Sequence, residues 1–510
     1  MSRLKRFAHS LASGYVLLGI NVLYTFASVP LVLHYLPEKE LGLWALVTQV
    51  ASSLLLLDLG MAGSVARILI DHKDRPGDGL YGGVIKAGAL VMLVQGAIIA
   101  GAGLVVSYWL PALFGVPDVY RHDFQVLVAG QCCTIGGLFA GRICSHVLQA
   151  HQRYDITNYV QSGGLVVSFG VLWLGFSGGW GLYSLLAASA GSAILSNLCI
   201  LGAVLRLRLF PPAGSWGRVS WSLFKELFKY GSDIFLMSVG YQLTSASQIM
   251  IISRTLGLKE AAVWTIATKV FLLLQQGVFQ LWTFSANAIS EMMVRQEWGR
   301  LRQRFHDIVV LTAASSVLVA GVMGACNASF LAVWTKDRIG WSVANDWLLA
   351  ILLIVGCIAR CHVGLAGQTK KIRAMRYIYF AEGLCFVIGS VLIAPHWGMT
   401  GILLIAISMN ILWSGTYGVY RTAGELTESV WRVAFGWLNS SLRFLLLFLP
   451  LAALWEWIFR SLPNLPRLGL TALLVTISGV TLGWFVGLTP ALRSELTGFA
   501  FKLRKRIWQT

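Results

Sequence analysis

The chain has 510 residues, of which 56% are hydrophobic and 12% charged, and a formal net charge of +18. Soluble globular domains carry about 25% charged residues, so the composition excludes a soluble protein and indicates an integral membrane protein. The basic excess comes in clusters between apolar runs, as membrane topology requires, which argues against a nucleic-acid partner.

A hydrocarbon core of ~30 Å takes roughly 20 apolar residues per helix. Stretches that satisfy this run approximately over 11–36, 41–67, 83–110, 123–150, 156–177, 181–205, 231–254, 260–292, 306–334, 344–367, 375–395, 398–421, 435–459 and 468–489. They predict an all-α polytopic membrane protein with about 14 transmembrane helices. The N-terminus, MSRLKRF, imitates a secretory signal through Arg3, Lys5 and Arg6. The run from Leu11 to Leu36 is too long for a signal core and is interrupted by Asn21 and Thr25, so it reads as an uncleaved first helix lining a polar interior. Pro30 can bend that helix near its outer end, either as a gate or as a tolerated kink.

Orientation follows from Lys and Arg, which cytoplasmic segments retain. With the N-terminus inside, cytoplasmic segments hold 28 of the 40 basic residues and outer segments hold eight. Four more, Arg142, Lys269, Arg360 and Arg443, fall within helices. Both termini are therefore expected in the cytoplasm.

The outer turn after the first helix, YLPEKELGLWALVTQV (35–50), has a degraded copy in TLGLKEAAVWTIATKV (255–270), with six identities in sixteen pairs. The copies align Leu36 with Leu256, Lys39 with Lys259, Glu40 with Glu260, Trp44 with Trp264, Thr48 with Thr268 and Val50 with Val270. Each falls on an outer turn, and the even number of helices between them makes the halves parallel repeats about an axis along the membrane normal. The expected division is an N-terminal six-helix bundle (1–210), a cytoplasmic linker (211–230), a C-terminal six-helix bundle (231–422), and accessory helices with a basic tail (423–510). The linker reads either as an amphipathic helix on the inner leaflet, through Trp216, Trp221, Phe224 and Phe228 with Arg218, Lys225 and Lys229, or as an ordinary solvated basic connection.

Three stretches carry a family resemblance: LPEKELGLWALV followed by LLLLDLGMAGSVAR, the second-half start KYGSDIFLMSVGYQLTSASQIMIISRTLG, and the six-helix gap between the two. With Asp58, Gly60 and Arg67 in the second helix, the chain resembles the polysaccharide and lipid-linked oligosaccharide flippases (Wzx type) of the multidrug/oligosaccharidyl-lipid/polysaccharide (MOP) exporter superfamily. The resemblance covers most of 10–420 and implies a V-shaped pair of six-helix bundles around a central cavity.

Ionisable residues at membrane depth cost roughly 2.5–3.5 kcal/mol on insertion scales, so they face partners or a wet space. Asp58 and Arg142 lie at matching depths and could form an ion pair, read as a structural clamp or as part of a substrate contact. Arg360 and Glu382 form a second depth-matched pair with the same two readings. Lys269 lies near the bilayer middle with no acidic residue at its level. It either faces the cavity, with Gln275 and Gln276 continuing along its helix, or snorkels outward. Gly137 and Gly141 have the small-x-x-x-small spacing of close helix packing. Trp44, Trp109, Trp334 and Trp397 are expected in the outer interfacial belt. The eight cysteines lie in apolar runs, and Cys357, Cys361 and His362, which share a helix face, read as packing residues rather than a metal site.

The resemblance and the basic bias together predict a flippase that moves a polyprenyl-diphosphate-linked oligosaccharide across the bacterial cytoplasmic (inner) membrane by alternating access, for surface polysaccharide assembly. Lys269, Arg142 and Arg360 would receive the diphosphate, and an inside-negative potential would favour outward movement of the anion by about 2.3 kcal/mol per charge per 100 mV. Lipid-linked oligosaccharide, membrane lipids and other polysaccharide-assembly membrane proteins are the expected partners; no cofactor is implied. The alternatives are an ion-coupled multidrug antiporter of the same superfamily, which should carry an acidic cavity, and a polysaccharide polymerase or ligase, which should carry a large outer loop. No catalytic triad, nucleotide loop or metal cluster supports an enzyme.

Overall fold

The structure is a computed structural model that describes residues 3–58, 65, 68–69, 72, 79–151, 153–212, 214–219, 221–369, 373–495 and 497–498. Hydrocarbon offers the backbone no hydrogen-bond partner, so the apolar runs close their bonds internally as helices. In chain order these are α1 (Arg3–Tyr35), α2 (Glu38–Ser53), α3 (Leu80–Val106), α4 (Leu110–Phe114), α5 (Asp118–Ala150), α6 (Tyr154–Ser177), α7 (Tyr183–Arg206), α8 (Trp221–Ser245), α9 (Ser247–Thr255) and α10 (Leu258–Val294). They continue as α11 (Trp298–Thr335), α12 (Val343–Gln368), α13 (Arg373–Asn410), α14 (Thr416–Leu426), α15 (Val430–Phe435), α16 (Leu438–Phe459) and α17 (Asn464–Leu482). No strand occurs among the described residues.

Eleven described stretches are long and apolar enough to cross a membrane, and α5, bent by 40° between Phe139 and Gly141, makes a twelfth. One of the eleven, Ala374–Leu426, has 53 residues. At 1.5 Å per residue it would reach about 80 Å, far more than one crossing needs. It turns at Gly398, whose φ of 57° and ψ of −142° leave the helical region, just after Pro395. The helices expected over 375–395 and 398–421 are the two arms of that turn. The second predicted helix is described only in part: α2 runs into a tight turn over Leu54–Asp58, while Gly60, Arg67 and the side chain of Asp58 lie outside the described residues.

The chain forms two compact units, Met1–Ala262 and Val263–Thr510. In the first, α3 and α5 pack most extensively. Their backbones meet at Gly96 and Gly136, where a Cβ on either would lie 2.4–2.5 Å from the other's carbonyl oxygen. This glycine pair, rather than Gly137 and Gly141, is the small-residue contact of α5. In the second unit, α16 and α17 pack on α11 through Phe448, whose ring fills the space above Gly321 and Gly479.

The repeated turn is built alike in both copies. α2 starts at Glu38 after Pro37, and α10 starts at Leu258 after Gly257, so Lys39 and Glu40 and their counterparts Lys259 and Glu260 occupy the same helical positions. The Thr48 hydroxyl donates to the Ala45 carbonyl and Thr268 to the Trp264 carbonyl, each capping its own helix face. Within the first unit the two helix starts touch: a Cβ on Gly42 would sit 1.7 Å from the Leu258 carbonyl oxygen.

Overpacking of this kind costs about 1–3 kcal/mol or more. Gly42→Val should therefore lower the thermal unfolding midpoint of the purified protein sharply. Gly101→Ala, in α3 with no neighbouring atom within 4 Å of the added methyl, should leave the midpoint unchanged or slightly raised.

Candidate functional site

Three helices of the first unit carry polar residues at helical spacing inside otherwise apolar segments. On α5 they are Arg142, Ser145, His146 and Gln149; on α6, Thr157, Gln161 and Ser168; on α7, Ser189, Ser192, Ser196 and Asn197. Spacings of three and four put each set on one helix face. The three faces converge, with Tyr24 of α1 and Trp44 of α2, on a cavity of about 690 Å³ inside the bundle. Among the described residues no Asp or Glu lines it.

The wall is held by its own hydrogen bonds. Tyr24 Oη and Ser168 Oγ are 3.2 Å apart, and His146 Nδ1 lies 3.2 Å from Gln149 Oε1. Asn197 Nδ2 donates to the carbonyl oxygen of Gly137 at 3.0 Å. That carbonyl stands four residues before Gly141, beside the bend in α5. A side chain at Gly141 would put its Cβ 2.3 Å from Asn197 Oδ1, so glycine there admits the asparagine. Gly141 thus makes room for a polar bridge into the cavity wall, not for a neighbouring backbone, while a Cβ on Gly137 would meet no atom within 4 Å. Gly164 does the same on α6: a Cβ there would lie 2.8 Å from Ser192 Oγ and 3.0 Å from Ser196 Oγ. Arg142 reaches the cavity with its guanidinium carbon 4.8 Å from the centre of the Phe139 ring. Trp44 lines the same cavity, which removes it from the outer belt, whereas Trp109 and Trp397 are 67% and 59% exposed as belt residues should be.

In the second unit the predicted residues separate. Arg360 is exposed on α12 and lies over Phe279 of α10 at 5.5 Å. Glu382 is buried on α13 and accepts a hydrogen bond from Ser414 Oγ at 3.2 Å, at the widened turn Ile411–Gly415. They form no ion pair, correcting the depth-matched pairing: residue count gives the level of a side chain along the membrane normal, but the two point to different sides. Lys269 is half-buried on α10 and, among the described residues, has no hydrogen-bond or ion-pair partner. Gln276 and Gln280 are exposed on its stripe, about two and three turns along, whereas Gln275 is half-buried and turned toward Gly356 of α12. Adjacent residues on a helix point about 100° apart, so Gln275 and Gln276 cannot share a face. Cys361 Sγ sits 3.5 Å from Thr312 Oγ1, and Phe305 meets the His362 ring edge-on at 5.5 Å.

Sequence reasoning found Arg142 because it is charged and missed the rest of the wall because Ser, Gln, His and Asn do not break a hydropathy window. The signal was present: Arg142, Ser145, His146 and Gln149 stand at i, i+3, i+4 and i+7.

No protein-family model matches the chain, and no curated protein does. Solved structures do share its fold. An inward-facing multidrug resistance MATE family transporter of the MOP superfamily matches with a TM-score of 0.67 at 14% identity, over 80% of this chain and 96% of that one. The lipid II flippase MurJ, in an inward closed conformation, matches with a TM-score of 0.62 at 13% identity, over 94% and 99% of the two chains. A MOP superfamily transporter from Pyrococcus furiosus, described as having a binding pocket of reverse polarity that suggests a different function, matches with 0.59 at 14% identity, over 83% and 97%. The chain therefore has the polytopic helical fold of the MOP superfamily transporters.

Proposed function

We propose that the protein is a membrane transporter for an anionic, polyhydroxylated substrate, and specifically a flippase for polyprenyl-diphosphate-linked oligosaccharide in the bacterial cytoplasmic membrane. The observation that supports this reading is the polarity of the first unit's cavity. Among the described residues its charged side chain is Arg142, its other polar groups are hydroxyls, amides and an imidazole, and none is a carboxylate. A guanidinium offers five donors in a fixed fork suited to phosphate oxygens. Ser192, Ser196, Gln161 and Asn197 supply donors and acceptors of the kind that sugar hydroxyls exchange. Among the described lining residues a lipophilic cation would meet the guanidinium of Arg142 and neutral polar groups. Pocket polarity is also the property on which the Pyrococcus furiosus protein is set apart.

On α10, Lys269, Gln276 and Gln280 extend the same chemistry in the second unit. A polar stripe of this kind is costly against lipid and stable where it lines an aqueous space. Alternating exposure of these groups to the two sides would carry the headgroup across while the polyprenyl chain stays in hydrocarbon. Transport through such a cavity requires no catalytic group.

Loss of the gene should leave lipid-linked glycan on the cytoplasmic leaflet and deplete surface glycan. Normal surface glycan in the deletion strain, or export of lipophilic cations by the purified protein in vesicles, would overturn the flippase reading. Contacts to a charged group are worth about 1.5–3 kcal/mol, or roughly 10- to 100-fold in affinity. Arg142→Ala should therefore weaken binding of a polyprenyl-diphosphate glycan by that factor, with Arg142→Lys recovering part of it.

Lys269→Ala should lower the flipping rate measured in reconstituted vesicles, and Lys269→Arg should retain it. Equal rates for Lys269→Ala and the unmodified protein would mean that Lys269 snorkels to the membrane surface.

A further inference from the structure

The basic segment between α7 and α8 is strapped to the bundle rather than hanging free. Tyr81 Oη donates to the Leu209 carbonyl at 3.1 Å, and Lys86 Nζ donates to the Gly217 carbonyl at 3.2 Å while lying 5.8 Å from the centre of the Trp216 ring. Phe210 and Trp216 meet at 5.7 Å, and both pack with Leu209 and Phe224 on the core formed by α3, α5 and α7. Gly79 and Gly217 both adopt positive φ, and their backbones touch: a Cβ on Gly217 would lie 2.0 Å from the Gly79 carbonyl oxygen. These ties fix the strap against the first two turns of α3, a helix long and apolar enough to cross a membrane, and so at the end of that span, where headgroups would lie.

Turning Phe210 and Trp216 inward determines what the strap shows outside. Arg206, Arg208, Arg218 and Lys225 are exposed. Between them stand exposed apolar side chains, Leu205 at 57%, Val219 at 48% and Trp221 at 67%, with the Trp221 ring stacked on Phe224 at 4.9 Å. Residues 205–225 contain no Asp or Glu. Net positive charge alone would suit any polyanion. Its combination with an exposed tryptophan and aliphatic residues, held at the end of the α3 span, suits a surface that is anionic outside and apolar beneath.

We propose that this strap binds the anionic lipid headgroups of the leaflet it borders, with Arg208, Arg218 and Lys225 on the phosphates and Trp221 and Val219 inserted at the interface. Lys86 is committed to the Gly217 carbonyl and holds the strap in place.

The test is backbone hydrogen–deuterium exchange of the full-length protein in nanodiscs. Phosphatidylglycerol should slow exchange over 205–225 by about threefold or more relative to phosphatidylcholine. Inorganic phosphate, added to phosphatidylcholine discs, should not. Arg208→Gln/Arg218→Gln/Lys225→Gln should abolish the difference, and Arg208→Lys/Arg218→Lys should keep it. Equal exchange in the two lipids would overturn the proposal. So would protection by phosphate alone, which would mark a small-anion site, or protection that survives the triple glutamine variant.

Discussion

A lipid interior gives no hydrogen bonds, so every backbone break and every polar side chain in this chain must find its partner within the protein or in a wet space. The regular helices meet the first demand. Where a helix bends or widens, polar side chains gather. Asn197 donates to the Gly137 carbonyl at the bend of α5. At the widened turn Ile411–Gly415, Ser414 donates to Glu382 and receives a hydrogen bond from Asn410 at 3.2 Å. The two places differ in what lies beside them. The first opens on a cavity of about 690 Å³ and the second is closed. A bend or widening that borders an open polar space can exchange its hydrogen bonds with a ligand, whereas a closed one only holds its own helix together.

The same constraint explains which parts of the structure were legible in the sequence. Helices must be long and apolar, so the polytopic all-helical fold could be read from hydropathy, including the two arms that meet at Gly398. Eleven or twelve spans are seen among the described residues, where about 14 were expected. The depth of a charged residue could also be counted. Its direction could not, because depth accrues at 1.5 Å per residue while direction turns by 100°, and an uncertainty of two residues at a helix end leaves direction undetermined. Arg360 and Glu382 share a depth and diverge for this reason. Trp44 was assigned to the outer belt from depth alone, yet its side chain turns inward to the cavity.

Uncharged polar residues show a different limit. Ser189, Ser192 and Ser196 scarcely lower the hydropathy of α7, so a window average passes over them, but their spacing of three and four marks a face. A serine can bond back to its own helix, as Ser162 does to the Asn158 carbonyl at 2.9 Å, and is then cheap in hydrocarbon. One serine therefore carries little information. Aligned sets on α5, α6 and α7 carry much more, because own-helix bonding does not require alignment on one face.

The internal repeat gains meaning from where its copies disagree. Both start a helix in the same register, and Gly42 of the first lies against the Leu258 carbonyl of the second, so the shared pattern preserves a close backbone approach. Trp44 faces the cavity, while its counterpart Trp264 is buried edge-on to Trp341 at 6.3 Å. Gln49 stands where the second copy has Lys269. A duplicated scaffold needs its helix starts and close contacts in both halves, but it needs a given polar group only in the half that uses it. The first half places its polarity around a cavity on α5–α7, and the second along the Lys269 stripe of α10. Neither arrangement is a copy of the other, which is what an asymmetric substrate, charged at one end and hydroxylated along its length, would require of a pseudo-symmetric frame.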